Sequence, residues 1–372
     1  MKCLELTRSF YFEWVLKLIK QYFPSMAEGH SAALIGWGSE VLGNDDEISK
    51  FYGWGPKPKI FLSNEDYAVS GKKLWGIFLS ELPLVYQGFP TRFKVDPMDG
   101  LPKATNDSEG FPMVAISTFQ RLHKYYIGDV LFPYSDLEWL LIPEQKLLEL
   151  TSGEVFYDGL GVLNDFRRDI HYYPDNVWKY KLAYQWTTIS WELDLIVLCN
   201  KRGDAISARL SLNETVKRII SLIFLLNRVY KPSYIKWVHR QFYKLPCLAN
   251  EIGSELESIF TVKDIGIACS KVNKIIETLI EYQMDMGLIQ KVDFKRSPSM
   301  SRGWSAFDLD VVIEELKQGI RGELSNLTFP IGAVDQWVTD EDLLLSPNSI
   351  KALRAVYFEK EPEREQLGDK ML

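Results

Sequence analysis

Near its start the chain has the sequence Ser31-Ala32-Ala33-Leu34-Ile35-Gly36-Trp37-Gly38-Ser39. A short apolar run that ends in glycines is typical of a buried strand that enters a tight turn. A glycine-serine turn after such a strand can present backbone amides and a hydroxyl group to a phosphate. The stretch therefore predicts a strand and a turn, with Gly38 and Ser39 as candidate nucleotide-binding residues.

The chain on both sides of this stretch has the pattern of a mixed α/β module. Before it, apolar residues recur at helical spacing from Phe12 to Phe23, and Pro24 ends the run. After it, alternating and helical apolar patterns predict strands at 57–62, 92–95 and 113–116 and a helix at 70–82.

From Pro143 onward the pattern becomes helical. Apolar-periodic stretches of helix length are separated by Gly, Pro or Asp, and they cover 144–150, 177–199, 212–230, 235–243, 251–260 and 272–286. We therefore expect an α+β protein with a mixed-sheet domain at 1–135, an all-helical domain at 136–358 and a charged tail at 359–372.

Chain length, net charge and cysteine spacing exclude several classes of protein. A chain of 372 residues exceeds the size at which one core usually stops growing, which favours two domains. A net charge of -7 argues against general binding to nucleic acid or to anionic membranes. The four cysteines are far apart, so the sequence has no Cys-x-x-Cys zinc or redox motif. No secretory signal is evident, and we expect a cytoplasmic protein with no membrane association.

The opening stretch continues as Glu40-Val41-Leu42-Gly43-Asn44-Asp45-Asp46-Glu47-Ile48-Ser49 and then reaches Trp54-Gly55-Pro56. This stretch of sequence closely resembles the signature of a largely bacterial family of unknown function, in which a nucleotidyltransferase-like domain is joined to a helical domain. The resemblance extends nearly over the whole chain, to about Tyr357. It includes Pro143-Glu144-Gln145-Lys146-Leu147-Leu148, Tyr173-Pro174-Asp175-Asn176-Val177-Trp178, Gln185-Trp186, Lys236-Trp237 and Val334-Asp335-Gln336-Trp337.

The resemblance implies where catalytic carboxylates would stand. A nucleotidyltransferase site offers two carboxylates, one residue apart, on the strand after the Gly-Ser turn, and a third on a neighbouring strand; together they hold divalent metal on the nucleotide phosphates. In the family, Asp-His-Asp precedes Trp-Gly-Pro, whereas this chain has Phe51-Tyr52-Gly53 there, and Ala115 occupies the third position. These residues supply no hard oxygen ligand from their side chains, so we expect a degenerate catalytic site and no metal.

Several other residues are candidates for the same site. Possible replacement carboxylates are Asp45, Asp46 and Glu47, although the family carries the two aspartates beside its own catalytic pair. Candidate phosphate-binding cations are Lys57, where the family has a basic residue, and Lys59, Arg92 and Lys94; their alternative is a solvated strand face. The resemblance also indicates cleft candidates at Asp204, Lys236 and Trp237, which we expect to face the Gly38-Ser39 turn across a cleft between the two domains.

Three functions remain open on the sequence. The first is a catalytically degenerate nucleotidyltransferase-like protein that binds a nucleotide, a small ligand or a protein partner, with no cofactor expected. The second is an active transferase that needs Mg and a nucleoside triphosphate to modify a hydroxylated small molecule. The third is a structural or interaction module with no ligand.

Overall fold

The computed structural model describes residues 2–51, 53–295, 306–327 and 331–358. Contacts divide the chain into two compact units. The sheet unit comprises Met1–Ile127, Glu144–Tyr172 and Ile235–Arg240, and the helical unit comprises Gly128–Pro143, Tyr173–Tyr234 and Gln241–Leu372. Within the described ranges, every helix is too short or too polar to cross a lipid bilayer.

The N-terminal elements of the sheet unit alternate between helices and strands. In chain order they are α1 (Cys3–Phe10), a π-helical turn (Tyr11–Val15), α2 (Leu16–Tyr22), a 3₁₀ turn (Pro24–Met26), β1 (Ser31–Leu34), a 3₁₀ turn (Ile48–Phe51), β2 (Lys59–Leu62), α3 (Asn64–Glu81), β3 (Val85–Tyr86), β4 (Phe89–Pro90), β5 (Arg92–Val95), β6 (Pro102–Thr105), β7 (Phe111–Pro112), β8 (Ala115–Thr118) and α4 (Phe119–Ile127). Helix α3 begins earlier than the predicted residue 70, because Ser63 Oγ accepts a hydrogen bond from the amide of Asp66 at 3.0 Å and caps it.

The remaining elements are mostly helical. They are α5 (Asp136–Leu141), α6 (Glu144–Thr151), β9 (Glu154–Asp158), α7 (Val162–Asp169), α8 (Asp175–Lys201), α9 (Ala205–Leu226), α10 (Ile235–Phe242), α11 (Ala249–Thr261), α12 (Ile265–Asp285), α13 (Asp310–Gln318), a 3₁₀ turn (Gly322–Asn326), α14 (Val334–Trp337), α15 (Glu341–Leu345) and α16 (Pro347–Phe358). A mixed-sheet region followed by many helices confirms the α+β class.

A four-stranded mixed sheet organises the sheet unit, in the order β8-β2-β1-β9. Strand β2 runs antiparallel to β1 and parallel to β8, so that Lys59 pairs with Ala115. One face of this sheet packs on α1, α2 and α3 through a core that includes Ala32, Ile60 and Leu62. Because side chains alternate along a strand, Lys59 lies on the opposite face from Ile60.

The predicted domain boundary at 135/136 does not coincide with the division between the two units. Strand β9 pairs antiparallel with β1, from Ser31 opposite Asp158 to Leu34 opposite Glu154. This pairing returns residues 144–172 to the sheet unit, while α5 belongs to the helical unit. A short strand between two helices gives a weak periodic signal, which is why the sequence predicts no strand there. The predicted tail at 359–372 lies outside the described residues.

The helical unit is built on a hairpin of α8 and α9. Trp178 Nε1 donates to the carbonyl of Leu225 at 2.8 Å, and Ser211 Oγ donates to the carbonyl of Glu192 at 3.1 Å. These two bonds join opposite ends of the pair and fix the helices antiparallel.

Candidate functional site

A cavity of about 450 Å³ lies within the sheet unit, next to Lys59 at the start of β2. Its floor comes from the four-stranded sheet, and its walls come from β5–β7, α3 and α4. The lining residues are mainly apolar and aromatic, and they are Leu34, Ile35, Trp37, Gly53, Lys57, Lys59, Trp75, Phe93, Pro102, Phe111, Pro112, Met113, Val114, Ala115, Tyr125 and Tyr126. This volume and lining are typical of a small-molecule pocket.

Exposed aromatic rings surround the cavity. Trp37, Trp75, Phe111 and Tyr125 line it, and each keeps more than a third of its surface exposed. Large aromatic side chains usually bury most of their area. A group of exposed rings around one concavity therefore indicates a surface suited to a flat apolar molecule.

The Gly-Ser turn presents backbone donors beside this cavity. The Gly36 amide donates to the carbonyl of Glu149 at 2.8 Å, and the Trp37 amide donates to the hydroxyl of Tyr126 at 2.8 Å. Among the residues that the structure describes, the amides of Gly38, Ser39 and Glu40 have no acceptor. Three adjacent donor amides of this kind are suited to an anion.

The carboxylate of Glu40 lies directly on this turn. It contacts the position where a side chain on Gly38 would begin, and Ser39 Oγ lies 3.5 Å from Glu40 Oε2. Lys57 Nζ lies 2.5 Å from Glu40 Oε1, and this ion pair is nearly buried, with 1% of the Glu40 side chain exposed. Lys57 also lies 5.8 Å from the centre of the Trp37 ring, in cation–π geometry.

Lys59 is the second cation of the cavity. Its Nζ approaches Gly36 so closely that a Cβ there would lie 2.7 Å from it, and a side chain at this position would also meet the Tyr126 hydroxyl. Burial lowers the pKa of Lys59 to about 8, with a further lowering by the charge of Lys57 and an opposing effect of Glu149 and Glu40. In the described part of the chain, Lys59 Nζ has no hydrogen-bond or ion-pair partner.

Glu149 on α6 is a buried acid whose charge raises the pKa of Lys59. Gln145 Nε2 donates to Glu149 Oε1 at 2.7 Å. Burial raises the pKa of Glu149, and the Gln145 hydrogen bond and the charges of Lys59 and Lys146 lower it. Lys146 is itself buried, with a pKa of about 8 because of desolvation, but it does not line the cavity.

Two positions of the expected carboxylate set lie on the cavity wall. Gly53 and Ala115 both line it, and Ala115 is the direct strand partner of Lys59. The described residues before Trp-Gly-Pro do not form the expected strand, however: Ile48–Phe51 is a 3₁₀ turn, and Gly53 has a positive φ of 61°. The side chain of Phe51 and the whole of Tyr52 lie outside the described residues.

The three candidate replacement acids serve local structure instead. Asp45 accepts hydrogen bonds from the Cys3 amide at 2.8 Å and from Lys2 Nζ at 3.0 Å. Asp46 accepts from the amide of Ser49 at 2.9 Å and pairs with Arg240 at 2.7 Å. Glu47 is exposed and pairs with Lys50 three residues later. None of the three lines the cavity.

The family-implied metal does not fit the side chains found here. Neither Gly53 nor Ala115 carries a side-chain donor, and Lys59 adds a positive charge beside Ala115. Within the described residues, no three His, Cys, Asp or Glu side chains are grouped so as to hold a metal ion.

The remaining candidates have other local roles. Arg92 is buried and donates to the carbonyls of Gly110 at 3.0 Å and Leu79 at 2.5 Å, while Lys94 pairs with Asp107 at 2.8 Å. Asp204 accepts from the Ser207 amide at 2.9 Å and caps α9. Lys236 lies 5.4 Å from the ring centre of Trp237. Their predicted position across a cleft from Ser39 stays a prediction.

Sequence reasoning missed most of the cavity wall. Trp75 and Glu149 lie in predicted helices without a local motif, and Tyr126 lies in α4, for which the sequence predicts no element; only the fold brings Trp75 and Tyr126 to the cavity and Glu149 to the turn. Lys59 was named only as one of four basic residues. The available signal for Lys59 was its position near the start of the predicted strand that follows the Gly-Ser turn.

Three comparisons with known proteins bear on this site. Residues 139–238 match the family model described as "Domain of unknown function (DUF4037)". No curated protein matches the chain. A solved structure, that of the nucleotidyltransferase-like protein from Exiguobacterium sibiricum 255-15, is similar over 82% of this chain and 98% of its own, with 10% identity and a TM-score of 0.30. The chain is thus similar to a domain of unknown function and, at a distance that establishes no function, to a nucleotidyltransferase-like protein.

Proposed function

We propose that this chain is a catalytically degenerate nucleotidyltransferase-like protein that binds a small anionic molecule in the cavity of the sheet unit, without a metal. One observation carries the proposal: the cavity has Gly53 and Ala115 where carboxylates are expected, and lysines at positions 57 and 59 beside them. A site that binds anions through metal presents acids to the metal. This site presents cations to the ligand.

The electrostatics of the cavity support the same conclusion. Lysines are its only fully charged lining groups among the described residues. A lysine ammonium attracts an anion directly, and the low dielectric of an apolar wall strengthens that attraction. A divalent cation placed beside Lys59 would instead be repelled by it.

Calorimetric titration of the purified protein with ATP, GTP, CTP and UTP tests the proposal, first with Mg²⁺ and then with a chelator. We expect that Mg²⁺ adds no affinity for any of them and that no pyrophosphate is released over hours. Lys94→Met removes an exposed lysine of the same unit outside the cavity, and we expect it to give the same results as the unaltered chain. Tight binding that strictly requires Mg²⁺, with pyrophosphate release, would show that the active-transferase alternative is correct.

A further inference from the structure

The two lysines of the cavity are in different electrostatic states. Lys57 is neutralised by Glu40, since their charged atoms lie 2.5 Å apart and both side chains are largely buried. Lys59 has no partner within hydrogen-bond or ion-pair distance among the described residues. Of the two lining lysines, Lys59 is therefore the one whose ammonium group is left without a direct partner in the described part of the chain.

Glu40 also changes what the Gly-Ser turn can accept. Its carboxylate contacts the turn at Gly38 and lies near the hydroxyl of Ser39. A phosphate bound to the amides of Gly38, Ser39 and Glu40 would meet this buried negative charge at close range. Like charges at such a distance repel strongly in a low dielectric. The Glu40 carboxylate therefore disfavours a phosphate at the turn.

The approach of Lys59 to the turn depends on a glycine. Gly36 has a positive φ of 93°, and a Cβ there would collide with the Tyr126 hydroxyl and come within 2.7 Å of Lys59 Nζ. A glycine at this position lets the backbone lie against the ammonium group. The local chain is therefore shaped around an unpaired, desolvated cation, which costs stability unless a ligand supplies the missing charge.

The walls indicate what the rest of that ligand is. Trp37, Phe93, Phe111 and Tyr125 line the cavity, together with Pro112 and Met113. Aromatic and thioether side chains favour flat, polarizable rings. An aromatic ring on these walls with its acid group at Lys59 would satisfy both the apolar surface and the single positive charge.

From these observations, we propose that the cavity binds a planar aromatic molecule with one negative charge, such as an aromatic monocarboxylate, through Lys59, and that Glu40 excludes nucleoside di- and triphosphates from the turn. This inference rests on the proposed function and names its ligand class. It places the charge of the ligand at the sheet and not at the turn.

The test uses 1-naphthoate as the probe and 1-naphthalenemethanol as its neutral counterpart, titrated by calorimetry at pH 7 into the full chain. We expect naphthoate to bind at least about tenfold more tightly than the alcohol, because only the acid pairs with Lys59. Lys59→Met removes the charge with little change of length, and we expect it to abolish this preference for the acid.

Lys146→Met is the matched control, since Lys146 is also buried with its pKa lowered to about 8 but lies outside the cavity lining. It is expected to keep the preference for naphthoate unchanged. Glu40→Gln is expected to lower the Kd of ATP, without Mg²⁺, by about tenfold or more, because it removes the charge from the turn and releases Lys57. Thermal melts of all three variants confirm that each is folded.

Two results would overturn the inference. If naphthoate fails to bind, or binds no better than the alcohol, Lys59 does not select the charge. If ATP binds the unaltered chain more tightly than naphthoate in the absence of Mg²⁺, the ligand is a polyphosphate, and the proposed function of metal-free anion binding still stands. Mg²⁺-dependent turnover would contradict the proposed function itself, so the two failures are distinguishable.

Discussion

Two lysines, one in each unit, differ in what surrounds their ammonium groups. Lys181 of the helical unit is fully buried, and its Nζ lies 2.9 Å from Asp335 Oδ2 and 2.9 Å from the hydroxyl of Tyr173. Lys59 of the sheet unit is partly buried beside a cavity and has no such partner within the described chain. The first ammonium is satisfied by the protein and the second is not.

The surroundings of Lys181 extend this contrast. Gln336, next to Asp335, donates to the carbonyl of Lys181 at 2.9 Å and to Gln185 Oε1 at 2.9 Å, so neighbouring polar groups are also paired. A network with every member satisfied fixes the packing of helices. A buried charge that the fold leaves unpaired lowers stability, and such groups concentrate at binding sites. Lys181 therefore stabilises the packing of the helical unit, and the proposal that Lys59 binds a ligand rests on its position in the lining of the cavity.

The largest effect is expected on breaking the satisfied pair. Asp335→Ala leaves the Lys181 ammonium in the core without its carboxylate, and removal of one partner of a buried ion pair costs about 3–5 kcal/mol. The free energy of unfolding from denaturant titration at pH 7 measures this. Lys317→Met, which removes an exposed pair with Glu314, is the control and should change stability by less than about 0.5 kcal/mol. Equal effects of the two variants would show that Lys181 is not held as described.

Removal of the Lys59 charge is expected to change the free energy of unfolding in the opposite direction. Lys59→Met should raise the free energy of unfolding by about 2 kcal/mol at pH 7, less than its pKa shift alone would give, because Nζ borders an open cavity. The same variant loses the preference for naphthoate. A gain in stability with a loss of binding separates a functional charge from a structural one.

The pH dependence gives this prediction a second readout. Burial lowers the pKa of Lys59 from the ordinary lysine value of 10.5 to about 8 in the folded chain; the charge of Lys57 lowers it further, and Glu149 and Glu40 raise it. Between these two pH values the unfolded chain binds more protons, so unfolding free energy rises with pH there. The advantage of Lys59→Met should therefore be full below pH 8 and shrink towards pH 10.5. An advantage that is constant with pH would mean that packing, and not charge, explains it.

Local patterns were enough to predict much of the fold. The apolar run at Ser31–Leu34 and the alternation at Lys59–Leu62 both gave strands, and the helical periods after Pro143 gave α8 to α12. Strand β9 was missed because five residues between two helices carry little periodic signal, and its partner β1 lies more than a hundred residues away. Pairing of this kind is a tertiary property that a window along the chain does not contain.

The candidate site was predicted only in outline. Gly53 and Ala115 were identified by the resemblance, and the structure brings both to one cavity with Lys57 and Lys59. The pairing of Lys57 with Glu40 could not be foreseen, since their contact depends on how the turn folds back on itself. The local partners of Asp45 and Asp46 could not be foreseen either, because the Cys3 amide that Asp45 accepts from lies more than forty residues away in the sequence.

The smallest effect is expected at Asp45, a buried acid that the fold satisfies locally. Its side chain is 4% exposed and accepts hydrogen bonds from the Cys3 amide, at the start of α1, and from Lys2. Asp45→Ala should lower the free energy of unfolding by about 1 kcal/mol, as loss of a helix cap does. Asp45→Asn keeps an oxygen acceptor and should cost less.

Both Asp45 variants should leave the affinity for naphthoate unchanged, because Asp45 does not line the cavity. Chemical denaturation and calorimetry on the same samples measure the two quantities together. If Asp45→Asn instead weakened binding of naphthoate while the chain stayed folded, the Asp45 carboxylate would have to be placed in the site. In that case Asp45 would contribute to ligand binding as well as to the stability of the fold. The contrast between Lys181 and Lys59 would remain.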